Sequence, residues 1–123
     1  MSHTVKILTQ IKDLNLLGKA VKNLKRELLV QKSEIQLYNR KEIVDASIPI
    51  SGSYSNAIGF KKEGNEYLLV GDSADLGRNQ SFISQLKQQY ALEVAKKEFT
   101  DQGLTISNMQ VNSKGNIEIE VVG

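Results

Sequence analysis

The stretch AIGFKKEGNEYLLVG, Ala57 to Gly71, constrains this chain more than any other. Two runs rich in apolar residues flank Glu63-Gly64-Asn65. So short a connection joins only antiparallel neighbours, because a parallel pair needs a crossover of roughly a dozen residues or more. A second compact turn, Asn112 to Asn116, separates LTISNMQV from NIEIEVV. Two hairpins set aside an all-parallel, doubly wound fold.

The remaining segments fit around them. TVKILTQI places Val5, Ile7, Thr9 and Ile11 on one face at period two, which reads as a strand. Asp13 then reads as a helix N-cap, its carboxylate accepting from orphan amides of the first turn. Behind it Leu14, Leu17, Val21, Leu24 and Leu28 make one apolar stripe, predicting a helix near residues 13–27. A strand region surrounds Ile35 and Leu37. Val44, Ala46, Ile48 and Ile50 alternate like another, and Pro49 confines it to a sheet edge because proline cannot donate to a ladder. The second helix runs from Asn79 or Ser81 to Gln102. Gly103 and Leu104 follow at C′ and C″, with Leu104 placed to touch Phe99 in a Schellman ending. The apolar phase changes between Ile106 and Met109, which predicts a bulge near Asn108. Ile117, Ile119 and Val121 share one face of the last strand. The reading is a single domain over residues 1–123 of class α+β. It expects an antiparallel sheet of about five to six strands with two helices packed on one face.

Composition removes whole classes of chemistry. Cysteine is absent and His3 is the only histidine. Disulfides, thiolate nucleophiles, cysteine-ligated metal centres and a one-chain histidine zinc site are therefore excluded. A Ser–His–Asp triad would need His3, which sits near a terminus with no assignable partner and reads as structural. The formal net charge of +2 is too small to imply a nucleic-acid or membrane partner by itself. No apolar run approaches the roughly 20 residues of a membrane span. The N-terminus MSHTVKILTQIKD lacks the pattern of a secretory signal, so the chain is expected to stay in the compartment where it is made.

Three stretches remain as candidate sites. GDSADLGRNQS, Gly71 to Ser81, begins like a phosphate cradle, but its spacing departs from the P-loop pattern. Arg78 and Asn79 replace the Lys and hydroxyl residue, and Asp72 and Asp75 repel an anion. Asp72, Asp75 and Glu66 also lack the spacing of a calcium loop. The stretch reads as a solvated strand-to-helix connection, with Asp and Asn as turn and cap residues. A carboxylate-based enzyme at Asp72 and Asp75 ranks last, for want of an acid–base pair with a reason for shifted pKa values. No catalytic residue, metal or cofactor is assigned. The first helix carries Lys12, Lys19, Lys22 and Arg26 opposite its apolar stripe. They are either a solvated face or an anion site for nucleic acid or an acidic partner, but no stacking aromatics accompany them. The second helix has two apolar stripes. Phe82, Ile83, Leu86, Tyr90 and Val94 form one, and Leu92, Ala95 and Phe99 form the other. Leu92 needs a cover, either from residues 39–56 or from another chain. This makes Leu92, Ala95 and Phe99 the candidate protein-docking residues.

The segments MSH, TQIKDLNLL, IGF, YLLVGD, FISQLKQQYA and GLTISNMQVNSKGNIEIEV follow one another in a familiar order. Together they resemble the hypothetical plastid reading-frame family Ycf thirty-five, a domain family of unknown function in cyanobacteria and algal plastids. The resemblance covers most of the chain. It is firmest at Ser2, His3, Thr9 to Ile11, Ile58 to Phe60, Tyr67, Asp72, Tyr90, Ala91 and Gly115. It departs at residues 39–55 and at SADLGRNQS, where many members carry a Trp-containing loop. The resemblance implies a plastid stroma or cyanobacterial cytoplasm and brings no reaction or cofactor. The expectation is a small, soluble, non-catalytic protein-interaction or accessory subunit. Its partner is another protein or a second copy, and anion or nucleic-acid binding is the alternative.

Overall fold

The computed structural model describes residues 4–51, 55–111, 113 and 117–122, with the backbone alone at 4, 5, 7, 8, 111 and 117. His3 and most of the turn at residues 112–116 lie outside the described residues. The elements run β1 (Thr4–Ile11), α1 (Leu14–Asn23), β2 (Ser33–Leu37), β3 (Arg40–Val44), β4 (Ala46–Pro49), β5 (Ala57–Glu63), β6 (Glu66–Asp72), α2 (Ser73–Arg78), α3 (Gln80–Asp101), β7 (Thr105–Val111) and β8 (Ile117–Val122). All strand pairs are antiparallel, and the fold is α+β. The strands divide into a four-stranded sheet in the order β1-β6-β5-β4 and two separate ribbons, β2–β3 and β7–β8. One sheet of five to six strands was the expectation. The difference arises because β2–β3 and β7–β8 each pair only within themselves.

Local chemistry sets the element ends. Gly64 opens the β5–β6 turn at φ +65, a conformation glycine adopts without steric penalty. Asp13 caps α1 as expected, its Oδ1 accepting from Asn15 N at 2.8 Å and Leu16 N at 3.1 Å. α1 stops at Asn23, earlier than the apolar stripe suggests, yet Leu24 and Leu28 still pack against the core. At the end of α3, Leu104 N donates to Phe99 O and Gly103 N to Thr100 O, both at 3.0 Å. With Gly103 at φ +80, this is the Schellman ending. β4, with Pro49 at its end, is an edge strand of the sheet. The β7–β8 register shifts between Ile106 and Asn108, where the phase change placed a bulge.

The four-stranded sheet is covered on both faces. Successive strand residues point to opposite sides, and β5 shows the consequence. Ile58 and Phe60 join the main core with Leu17, Val21, Leu69 and Leu86 from β6, α1 and α3. Ala57 joins a smaller core on the other face with Ile35, Leu37, Val44 and Val70. There the β2–β3 ribbon lies close: a Cβ on Gly59 would stand 2.5 Å from Val44 Cγ1 and 2.9 Å from Ile35 Cδ1. Val44, Ala46 and Ile48 therefore do not belong to one strand. The chain bends at Asp45, leaving Val44 in the ribbon and Ala46 and Ile48 under the helices.

Candidate functional site

The connection after β6 is mostly buried in its first half and exposed at Gly77, Arg78, Gln80 and Ser81, with Asp72 and Asn79 at the helix caps as expected. Residues 73–78 form α2, and Asp72 and Asp75 are 0% and 1% exposed. Asp72 Oδ2 accepts from Tyr38 N at 2.8 Å, while Oδ1 has no hydrogen-bond partner among the described residues. Asp75 Oδ2 accepts from Ser55 N at 2.8 Å and Ser55 Oγ at 2.9 Å, and its Oδ1 accepts from Arg78 Nη1 at 3.1 Å. The two carboxylates tie α2 and β6 to the ribbon turn and to the segment before β5. Gly71 serves packing: a Cβ there would stand 2.8 Å from Leu76 Cδ2. Among the described residues no group of three or more Asp, Glu or His side chains gathers closely enough to hold a metal ion.

The basic residues of the first helix are dispersed. Lys19 and Lys22 line a cleft of about 590 Å³ between α1 and α3, together with Lys96 and Lys97. Asp13, Glu93 and Asp101 line it too, so its charge is nearly balanced. Lys97 donates to Asp101 at 2.7 Å, and this bond raises the Lys97 pKa. Lys12 borders a different cleft of about 890 Å³, with Gln10, Glu66, Lys87, Tyr90 and Glu98. Its wall is ordered by the Tyr90 hydroxyl, which accepts from Lys12 N at 3.0 Å and Asp13 N at 3.2 Å. Gln10 sits beside it at φ +63, in the β1 irregularity between Leu8 and Ile11. Arg26 is engaged elsewhere, donating to Pro49 O at 3.0 Å with its guanidinium 4.5 Å from the Phe82 ring centroid. The structure thus brings two of the four basic residues together and separates the other two.

Leu92 is 8% exposed, and Ala95 and Phe99 are half-buried. The first stripe of α3 faces the main core as expected, through Phe82, Ile83, Leu86, Tyr90 and Val94. The second stripe lies outside that core. α3 packs against α1 and α2. β7 is a strand that packs against α3.

One cluster was not found from the sequence. Glu42 on β3 is buried and meets three cations: Lys6 Nζ and Lys61 Nζ each stand 3.2 Å from Oε1, and Arg40 Nη2 stands 2.6 Å from Oε2. Burial pushes the carboxyl up, but hydrogen bonds from Lys61, Lys6 and Arg40 outweigh it and hold the pKa at about 2. The signal was phase. Glu42 and Val44 share a strand face, as do Gly59 and Lys61, so these charges occupy inward positions of β3 and β5.

An α+β fold whose four-stranded sheet is covered on both faces defines the class. The model of the family described as "Protein of unknown function (DUF1257)" matches residues 20–120, and the chain belongs to this family. It is 33% identical over 122 residues to "Uncharacterized protein ycf35" of Guillardia theta, covering 97% of this chain and 94% of that relative. It is 30% identical over 125 residues to "Uncharacterized protein ycf35" of Cyanophora paradoxa, covering 98% and 96%. No solved structure matches. No helix among the described residues is long and apolar enough to cross a membrane.

Proposed function

We propose that this protein is a non-catalytic binding subunit that receives an extended segment of another protein along β8. One observation carries the reading: β7–β8 is a ribbon of two strands, so among the described residues β8 has no strand neighbour beyond β7, and Val121 and Val122 are exposed at its end. An unpaired strand edge is a template for an added strand. The other side of the hairpin is supported, because β7 packs against α3. In this reading Leu92, Ala95 and Phe99 serve docking indirectly, by seating the hairpin. Glu118 and Glu120 are exposed on β8, which favours an incoming strand with basic residues at alternate positions. A second copy is less suited. Antiparallel self-pairing about Ile119 sets Glu118 opposite Glu120, and like charges directly opposite are destabilising. The plastid stroma or cyanobacterial cytoplasm is the compartment we propose, supported by the algal relatives that carry the ycf35 name.

The test is copurification from the native cell, paired with hydrogen exchange on the recovered complex. Wild type should protect the amides of residues 118–122 on binding. Glu118→Lys with Glu120→Lys should abolish capture while changing stability by no more than about 0.5 kcal/mol, as surface substitutions do. Leu92→Lys should lower the melting temperature and capture together, because it unseats the hairpin. Capture that survives the double charge reversal with no protection at β8 overturns the reading.

A further inference from the structure

We propose that Lys6, Arg40 and Lys61 form an oxyanion-binding site for a phosphate group, pre-organised by Glu42. A buried carboxylate needs compensating charge, and one cation suffices for neutrality. Here there are three. Three positive groups on one carboxylate leave a local surplus that equals the chain's whole formal net charge of +2. The surplus is also concentrated. Lys6 Nζ and Lys61 Nζ both lie 3.2 Å from the same oxygen, so they stand no further apart than twice that distance. Two cations this close repel each other, Glu42 offsets part of that repulsion, and a further anion would offset more of it.

The groups that could meet that anion are open to it. The side chains of Lys6, Arg40 and Lys61 are 41%, 53% and 40% exposed, while Glu42 beneath them is 6% exposed. Each ammonium has three donors and a guanidinium has five. Among the described residues, the side-chain donors of these three residues engage only Glu42. Donors therefore remain on the outer side of the cluster. They come from β1, β3 and β5, two of which belong to the sheet and one to the ribbon lying over it. Glu42 holds the three long side chains in one place, which lowers the ordering cost a ligand would otherwise meet. Two point charges and a planar fork suit a tetrahedral, doubly charged oxyanion. The same group is offered by free phosphate, by a phosphomonoester and by a nucleic-acid backbone. Three cations converging on one carboxylate favour the doubly charged terminal phosphate over a singly charged diester.

The experiment is calorimetric titration of the whole chain at low ionic strength, where exposed charges are least screened. The probes are inorganic phosphate, a simple phosphomonoester, and a single-stranded oligonucleotide without terminal phosphate. Phosphate and monoester should bind saturably. Lys6→Ala and Lys61→Ala should each weaken them about tenfold, the loss of one charge-assisted hydrogen bond. Lys61→Arg should restore most of the affinity, and Lys19→Ala with Lys22→Ala should leave it unchanged. Should Lys6→Ala fold poorly, Lys61→Ala against Lys61→Arg carries the same comparison. Absence of saturable phosphate binding to wild type overturns the proposal. So does binding that depends on Lys19 and Lys22, and so does binding of the oligonucleotide that phosphate cannot displace.

Discussion

The two faces of the four-stranded sheet are closed by different means. Under the helices, α1, α3 and the sheet contribute a continuous apolar core that includes Phe60, Leu17, Ile58 and Leu86. Under the ribbon, five residues form a small core, and the space beside it is filled by Glu42 and its three cations. Two helices offer wide apolar stripes. A two-stranded ribbon offers only its inward residues, and β2–β3 has room for Ile35, Leu37 and Val44 before Glu42 takes the next inward position. A face too small to close by hydrophobic burial alone is finished here with charge.

The comparison breaks most visibly on the helix side. Phe60 is fully buried in the main core. Phe60→Ala should cost about 3–5 kcal/mol, the usual range for emptying such a site. Chemical denaturation measures it, and a cost below that of the ribbon-side variants would reverse the ranking of the two faces.

Next comes the buried carboxylate, whose signature is pH. Above about pH 4.5, its ordinary value, Glu42 is charged in both folded and unfolded chains, and the folded state keeps its full advantage. The advantage drains away as pH falls towards about 2. It amounts to about 3 kcal/mol for a shift of this size. Glu42→Gln should therefore lose stability at neutral pH and flatten the acid limb of the profile between those values. An acid limb unchanged by the substitution would show that the cluster does not hold the ribbon.

Gly59→Ala probes the spacing between the layers. The new Cβ meets Val44 and Ile35 closer than real contacts allow, so the ribbon must shift. Overpacking of this kind costs about 1–3 kcal/mol. Hydrogen exchange should show faster opening at β2 and β3 than at α1, whereas uniform loosening would mean that the two faces behave as one core.

These two faces also differ in how far the sequence announced them. The helix side was legible because its signals are local and periodic. The stripe of α1, the first stripe of α3, the Asp13 cap, the Schellman ending at Gly103 and the bulge near Asn108 all rest on residues within one or two turns of each other. The ribbon side depends on contacts between distant segments. Val44, Ala46 and Ile48 alternate as one strand would, and only the bend at Asp45 sends them to opposite faces. Asp72 and Asp75 resemble turn residues because Asp usually is one. Their burial follows from Tyr38 and Ser55, which lie 34 and 20 positions away in the chain. Glu42 was missed for the same reason, since Lys6 and Lys61 reach it from other strands.

The smallest expected effect is the most discriminating for the charged face. Lys6→Ala or Lys61→Ala alone should change stability by about 0.5 kcal/mol or less. Each side chain is more than a third exposed, where solvent screens an ion pair to little net worth. Moreover, two cations remain on Glu42 after either substitution. Removing both leaves Arg40 alone at 2.6 Å, and the buried carboxylate then loses two of its donors. The double variant should accordingly cost more than the sum of the singles, by the kind of coupling found within one ion-pair network. Urea denaturation of the two single variants and the double variant measures this directly. Additive costs would mean that each lysine is individually needed to hold Glu42. Redundancy would mean that the cluster carries more positive charge than its carboxylate requires, which is the condition for a second anion to find a place there.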